Sequence, residues 1–319
     1  MNQKPNIKQM SLGLSTEIVD IQAYRNYWMI IGEKEKWIAK PFPDNQHSIW
    51  WGDIEQELRK RGFHSFPKTK QIGTWLLSLF IEGTTISYKE KTHLFALMQL
   101  LAQFHQKGQY LETPPIKQVA YLLSDRLYDR LDHFYHLLVR PKRINASRVV
   151  QLLHYMGPRF YHHAYESYLK LCRNGLITYG EASSRHHMLC HRDLASHNWV
   201  LDKRENPWMI DFETASYDLQ IGDVWQICSR ILCEHQWDVS LCKQLIQSYE
   251  VVKPLASWEK QILATLFLFH NEFLRETIGI LEKKSGYKEE QTIPYLEKMA
   301  FDYPIWLQRV GQIRIWLNK

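Results

Sequence analysis

The sequence has no C-x-x-C pair, and its five cysteines (Cys172, Cys190, Cys228, Cys233, Cys242) are odd in number. In a chain of 319 residues they read as reduced core thiols, which excludes a disulfide framework and fits a reducing compartment. His162-His163 and His186-His187 lack a cysteine or histidine partner at zinc-site spacing, so no zinc centre is expected. Long hydrophobic runs are missing as well. The longest, Trp75 to Ile81 and Ile262 to Phe269, fall far below the roughly 20 residues that span a bilayer. The N-terminal stretch MNQKPNIKQMSLGLSTE has no apolar signal core. A soluble, cytoplasmic protein with no membrane partner is therefore expected. No Lys/Arg block exceeds three residues and the formal charge is only +6, so nucleic acid is not an expected partner. Repeats and low-complexity tracts are absent too.

What is present is an ordinary globular composition, 45% hydrophobic and 23% charged, which excludes disordered and collagen-like architectures. Aromatic residues reach 13%, with 12 Trp, but no RNP-like signature accompanies them, and they read as packing residues. The length suits about two domains or one two-lobed domain.

The patterning changes near residue 84. Before it lie short β-type runs at Glu17 to Tyr24, Tyr27 to Ile31, Lys36 to Lys40 and Thr74 to Ile81, the first two joined at Arg25-Asn26. Between the third and fourth, Trp50, Ile54 and Leu58 mark a helix that Gly62 closes, with Arg59, Lys60 and Arg61 complementing the dipole in its last turn. After residue 84 the period becomes helical. Leu94, Leu97, Met98, Leu101, Phe104 and His105 share one face, stopped by Gly108. Val119 to Leu138 forms a longer stripe ended by Pro141. A third helix starts near Ala146, is interrupted at Gly157-Pro158 and resumes to Cys172, before Asn174-Gly175. A β-rich insertion, Met188 to Phe212, precedes a helical remainder. The order is a small β-rich lobe with one helix, a linker, then a helical lobe carrying a small sheet.

Inside the insertion stands His191-Arg192-Asp193-Leu194-Ala195-Ser196-His197-Asn198, then an apolar strand ending in Asp211-Phe212-Glu213. This is H-x-D-x4-N followed, after one hairpin, by D-F. Phosphoryl transfer needs a carboxylate beside the acceptor hydroxyl, which Asp193 would supply. It also needs oxygen ligands for magnesium, which Asn198 and Asp211 would supply. His191 is better suited to bracing the loop than to shuttling protons. Trp37-Ile38-Ala39-Lys40 resembles the V-A-I-K strand whose lysine pairs the nucleotide phosphates. Glu55 or Glu57, on the following helix, would form the ion pair that positions Lys40. Ile81-Glu82-Gly83 suits an inter-lobe hinge whose backbone contacts adenine, Ile81 among the contacts.

On these residues the whole chain resembles the aminoglycoside phosphotransferase and choline kinase branch of the protein-kinase-like fold. Within that branch it is most similar to the spore coat proteins of the CotS, YutH and YsxE group. HRDLASHN, WMIDFETASYDLQIGDVWQI, Ala102-Gln103-Phe104-His105 and the hinge IEG carry the resemblance, most specifically over residues 187 to 228. It implies an α+β, two-lobed fold with a small antiparallel N-lobe sheet and a larger helical C-lobe. Residues 1–84 would be the nucleotide-covering lobe, and 85–319 the lobe with the catalytic loop and acceptor site. It further implies ATP and Mg2+ as cofactors, a hydroxyl acceptor, and residence in the mother-cell cytoplasm and spore coat among other coat proteins. Asp218 and Asp223 match the D-x4-D that follows the metal aspartate in such proteins, Asp223 bracing the catalytic loop from the next helix.

Two departures stand out. Eleven residues separate Asp211 from Asp223, which leaves no room for an activation segment or an A-P-E motif and argues against a protein kinase. The first lobe has no G-x-G-x-x-G. Its hairpin turns at Tyr24-Arg25-Asn26, where bulky residues would keep backbone N–H groups from close contact with phosphates. Two functions compete: an ATP-dependent phosphotransferase acting on a small-molecule or saccharide hydroxyl, and a non-catalytic kinase-like coat component. The joint presence of Lys40, Asp193, Asn198 and Asp211 favours the enzyme. An antibiotic-modifying enzyme would want an acidic groove for a polycation, which the net charge of +6 disfavours.

Overall fold

The computed structural model describes residues 4–42, 45–116, 121–140 and 147–319. The expected starts and stops at Val119, Pro141 and Ala146 lie outside the described residues. The chain opens with helix α1 (Ile7–Leu14), capped by the Asn6 side chain, which accepts the Gln9 N–H. Five antiparallel strands follow: β1 (Ile18–Tyr24), β2 (Tyr27–Gly32), β3 (Lys36–Pro41), β4 (Thr69–Ile72) and β5 (Trp75–Leu79), in spatial order β1-β2-β3-β5-β4. Helix α2 (Asn45–Lys60) connects β3 to β4. The period-2 pattern divides the sheet faces as pleat geometry requires. On β3, Trp37 and Ala39 join Met10, Ile21, Ile30 and Leu77 in a small core, whereas Ile38 and Lys40 point to the opposite face.

Two elements of this sheet region lie outside the sequence pattern. Helix α1 is short and only weakly apolar, and β4 is a polar four-residue strand, Thr-Lys-Gln-Ile, whose register comes from pairing with β5. Neither has a periodic signal long enough to be read locally.

Strand β6 (Gly83–Thr85) does not extend this sheet. It pairs with β8 (Trp199–Asp202), which pairs in turn with β9 (Pro207–Met209). Gly83 is required here: a Cβ would lie 1.8 Å from the Leu201 carbonyl oxygen. The rest is mostly helical: α3 (Leu94–Lys107), α4 (Leu123–Val139), α5 (Arg148–Arg173) and α6 (Leu176–Arg185), then α7 (Ile221–Glu234), α8 (Val239–Glu250), α9 (Ser257–Leu266), α10 (Asn271–Leu281) and α11 (Glu289–Leu317). A two-stranded ribbon of β7 (Leu189–Cys190) and β10 (Ser216–Tyr217) flanks the catalytic-type loop. This five-stranded antiparallel sheet followed by a helical part is the α+β, protein-kinase-like fold that the motifs imply.

One expectation is corrected. Gly157-Pro158 does not interrupt α5, which runs unbroken from Arg148 to Arg173. A proline inside a helix costs about 3 kcal/mol through its lost N–H and ring clash. Burial offsets it, because Leu153, Met156 and Phe160 around the proline are all in the core and each contributes about 1.5–3 kcal/mol. Phe160 stacks on Phe273 of α10 with centroids 4.0 Å apart. Helix α2 shows a similar priority of packing. Its Trp50, Trp51, Ile54 and Leu58 enter the large helical core rather than the small sheet core, so α2 is anchored to the C-terminal part.

Candidate active site

A cavity of about 540 Å³ lies between the N-terminal sheet and the β6-β8-β9 sheet, within the range of small-molecule sites. Ile38 and Lys40 of β3, with Leu76 and Ser78 of β5, line one wall. Val200 and Ile210 line the other, and Phe80, Ile81 and Gly83 close the connecting edge. Glu82 ties that edge to both sides, accepting from Lys36 Nζ at 3.0 Å and Lys203 Nζ at 2.6 Å. At the far end stand Asn198, Asp211 and Glu213. Four of the residues singled out by sequence, Lys40, Ile81, Asn198 and Asp211, thus share one cavity.

The catalytic-type loop is built on buried hydrogen bonds. Asp223, in the first turn of α7, accepts the backbone N–H groups of His191 (2.6 Å) and Arg192 (2.9 Å). Burial opposes its negative charge, but the His105 N–H bond and these backbone donors outweigh it and hold its carboxyl below the usual aspartate value. His105, buried in α3, contacts Asp223 through Nε2 (3.2 Å) and Tyr249 through Nδ1 (2.8 Å). Because a carboxylate only accepts, Nε2 carries the proton and Nδ1 receives the Tyr249 hydroxyl. His191 is fully buried. Its Nε2–H donates to the Ile210 carbonyl (3.0 Å) and its Nδ1 accepts the Asp193 N–H (3.3 Å), so the ring joins the loop to the segment bearing Asp211. Arg192 and Asp211 both occupy the left-handed backbone region, at φ 70° and 69°, a strained conformation that the surrounding bonds enforce.

Asp193 is 40% exposed and does not line the cavity. It joins the site through Asn198, whose Nδ2 donates to the Asp193 carbonyl (2.9 Å) and to its Oδ2 (3.0 Å). Both bonds use the Asn198 amide nitrogen, and among the described residues its oxygen receives no hydrogen bond. Phe212 of the D-F pair is clamped in an aromatic cluster, stacked on Trp51 at 4.4 Å and edge-on to Phe66 at 5.7 Å. That cluster fixes the residues on either side of Phe212.

The proposed ion pair between Lys40 and a glutamate of α2 does not form. Glu55 is buried, and its carboxylate accepts from Thr69 N–H (2.9 Å), Thr69 Oγ1 (2.6 Å) and Arg59 Nε (3.0 Å). Glu57 is taken by Arg61 and by the N–H groups of Glu112 and Thr113. The physical reason is that α2 presents Trp51, docked on Phe212, to the cavity, while both glutamates meet donors supplied elsewhere. Lys40 instead lies 2.9 Å from Asp211 and 2.8 Å from Glu213. Burial disfavours its ammonium, but the two carboxylates outweigh that and raise its pKa above the ordinary lysine value. Burial and the charge of Asp211 push the Glu213 carboxyl upward. Glu213 lies outside the residues the motif singles out; its signal in the sequence is a carboxylate two positions after a metal-type aspartate.

Asn198, Asp211 and Glu213 form a hard oxygen donor set of the kind Mg2+ takes, short of a full cage. Among the described residues no cluster of three His, Cys, Asp or Glu is poised around one point.

Residues 25–260 match the family model described as APH, phosphotransferase enzyme family. The chain belongs to that family. Among solved structures it is similar to an aminoglycoside phosphotransferase from Alicyclobacillus acidocaldarius, at TM-score 0.77 and 18% identity, covering 99% of this chain and 98% of that one. It is also similar to spectinomycin phosphotransferase in complex with ADP and spectinomycin, at TM-score 0.63 and 12% identity over 95% and 97% of the two chains. A third is choline kinase LicA from Streptococcus pneumoniae, at TM-score 0.50 and 13% identity over 96% and 98%. Identities this low establish the shared fold and leave the substrate of this family member to its own residues. Among the described residues no helix is long and apolar enough to cross a membrane.

Proposed function

We propose that this chain is an ATP- and Mg2+-dependent phosphotransferase that phosphorylates a hydroxyl of a small molecule or saccharide. The observation that carries this is the convergence of Lys40, Asn198, Asp211 and Glu213 on one cavity, with the Asp193 carboxylate held 3.0 Å from Asn198 at its margin. Nucleotide in the homologous spectinomycin phosphotransferase supports it. The apolar walls, Ile38, Val200 and Ile210, suit a planar base, and Ile81 offers hinge backbone to it. Residues 1–84 would then act as the nucleotide-covering lobe and 85–319 as the lobe holding the acceptor.

Lys40 would donate to phosphate oxygens on leaving Asp211 and Glu213. Those two carboxylates and the Asn198 oxygen would hold Mg2+. Bound there, the ion supplies charge neutralisation on the transferring phosphoryl group. Asp193 orients the acceptor hydroxyl and takes its proton as the new P–O bond forms. The bond from the γ-phosphorus to the bridging oxygen breaks, and ADP leaves with that electron pair. His191 and Asp223 hold the loop and take no part in the transfer. Arg25, exposed in the β1–β2 turn and lining the cavity, offers the nucleotide a cation where glycine amides are missing.

The finer likeness of HRDLASHN and WMIDFETASYDLQIGDVWQI to spore coat proteins supports a role in the sporulating mother cell and at the coat. The competing reading, a non-catalytic kinase-like coat component, draws on the bulky Tyr24-Arg25-Asn26 turn. Calorimetry and turnover on two variants separate them. Asp211→Asn is expected to weaken Mg2+-dependent ATP binding, whereas Asp193→Asn keeps binding and loses turnover. Parent-like Mg2+-ATP binding in the first, together with parent-like turnover in the second, would overturn the assignment.

A further inference from the structure

Helix α7 holds the catalytic-type loop with three residues on one face, because Asp223, Gln226 and Arg230 stand at positions i, i+3 and i+7. Asp223 takes the His191 and Arg192 N–H groups. One turn on, Gln226 accepts the Leu194 N–H at 2.5 Å and donates to the Arg192 carbonyl at 3.1 Å. Both residues hold loop backbone. The third contact differs in kind: Arg230 Nη1 donates to the Asp193 carboxylate itself, 3.4 Å from Oδ1. Asn198 Nδ2 meets the other oxygen, Oδ2, at 3.0 Å. Each carboxylate oxygen of Asp193 therefore has a donor, one from α7 and one from the end of its own loop.

Donors on both oxygens fix the rotation of a carboxylate, and each oxygen keeps a lone pair for a further donor. Asp193 needs such fixing, because its side chain is 40% exposed and has little packing to select a rotamer. Arg230 is suited to supply it. A solvent-exposed arginine would hold a carboxylate weakly, since water and side-chain entropy compete. Arg230 is instead 9% exposed and anchored at its other edge: its Nε lies 3.7 Å from Glu272, an ion pair too long for a hydrogen bond. Glu272, in the first turn of α10, is buried and is itself fixed by Arg275 Nη2 at 2.6 Å and Asn271 Nδ2 at 3.0 Å. Burial opposes the Glu272 charge, but Arg275 and Arg230 outweigh it and hold its carboxyl down at about 2. The guanidinium that meets Asp193 thus ends a buried charged chain running in from α10.

We infer that Arg230 is a positioning residue for the transfer, setting the direction in which the Asp193 carboxylate faces the acceptor hydroxyl, with Glu272 holding Arg230 in place. The inference rests on the phosphotransferase reading above and goes beyond it, because the H-x-D-x4-N and D-F motifs contain neither residue. A misplacement of about 1 Å at a reacting group can cost about 100-fold in rate, so the orientation of Asp193 bears on turnover. Arg230 and Glu272 do not line the nucleotide cavity, so ATP affinity should not register their loss.

The probe is Mg2+-ATP alone, with water as the acceptor. A water proton passes to Asp193 as the oxygen bonds to the γ-phosphorus; the bond to the bridging oxygen breaks, and ADP leaves with that electron pair beside inorganic phosphate. Arg230→Gln is expected to lower kcat for ADP formation at least tenfold while the KM for ATP changes less than threefold, and Arg230→Lys should restore part of the loss. Glu272→Gln should lower kcat in the same direction by less. In an Asp193→Asn background, Arg230→Gln should lower kcat no further, because the carboxylate it positions is gone, whereas a merely structural arginine would lower it again. A crystal structure of Arg230→Gln should show the Asp193 carboxylate turned from its present orientation. A parent-like kcat in Arg230→Gln, additive losses in the double variant, or an unmoved Asp193 overturns the inference and leaves the phosphotransferase reading standing. If Arg230→Gln fails to fold, Arg230→Lys and Glu272→Gln carry the same test, and parent-like kcat in both overturns the inference. A parent that binds no Mg2+-ATP defeats the phosphotransferase reading, and this inference with it. Where the parent binds Mg2+-ATP without forming ADP, the crystal structure decides: a turned Asp193 supports the inference and an unmoved one overturns it.

Discussion

Replacing Lys40 by methionine separates its two roles. In the structure its ammonium bridges Asp211 at 2.9 Å and Glu213 at 2.8 Å and is only 15% exposed. A nucleotide must draw the lysine away from those carboxylates, and Mg2+ must take its place between them. A charge-assisted contact to phosphate contributes about 1.5–3 kcal/mol, so its loss should weaken ATP binding about 10- to 150-fold. The turn at Arg25-Asn26 has no glycine amides to share that load. The opposite sign is expected for the bare ion. With Lys40 gone, Asp211 and Glu213 face each other without a cation, and Mg2+ binding in the absence of nucleotide should tighten because nothing has to be displaced. Calorimetry with ATP at saturating Mg2+, and with Mg2+ alone, reads both arms. An ATP affinity within threefold of the parent would refute the reasoning, because Lys40 would then be a structural bridge between β3 and the Asp211 loop.

The remaining expectations concern the framework of the site. Asp223→Ala strands the His191 and Arg192 N–H groups and the His105 ring; at about 1–3 kcal/mol per buried unpaired group it should cost about 3–9 kcal/mol in urea unfolding. Gly83→Val must push β6 away from β8, since a Cβ would meet the Leu201 oxygen at 1.8 Å, and it should lower the melting temperature and the ATP affinity together. His270, buried between Phe160 and Trp306, is held neutral by burial, its pKa down at about 4. The folded value lies below the unfolded 6.5, so the associated stability is full above pH 6.5 and is lost as pH falls toward 4, on the order of 3 kcal/mol over that window. His270→Asn, which keeps an N-cap acceptor for Phe273, should flatten that slope in unfolding curves taken between pH 4 and 7.

The sequence by itself determined the parts of this protein whose information is local. Alternation along Lys36 to Lys40 places Lys40 and Ile38 on one face of a strand whatever lies beside it, because the pleat repeats every two residues. The spacing from His191 to Asn198 confines a brace, a carboxylate and an amide to one tight loop, and the hairpin after it returns Asp211 to the same place. Helical stripes such as Leu94 to His105 announce a buried face, and His105 duly meets Asp223 in the core. Tertiary structure decided which charges meet. Lys40 is far closer in sequence to Glu55 than to Asp211 or Glu213, yet it pairs with those two, because Trp51 occupies the cavity side of α2 and Thr69 captures Glu55. Pro158 reads as a break, and burial of Phe160 and its neighbours outweighs it. Arg230, 37 positions beyond Asp193, and Glu272, 42 positions further on, share no common spacing with it, yet Arg230 lies 3.4 Å from Asp193 and 3.7 Å from Glu272. Only the packing of α7 and α10 beside the loop brings them together, since Coulomb interactions depend on distance in space and periodicity records distance along the chain.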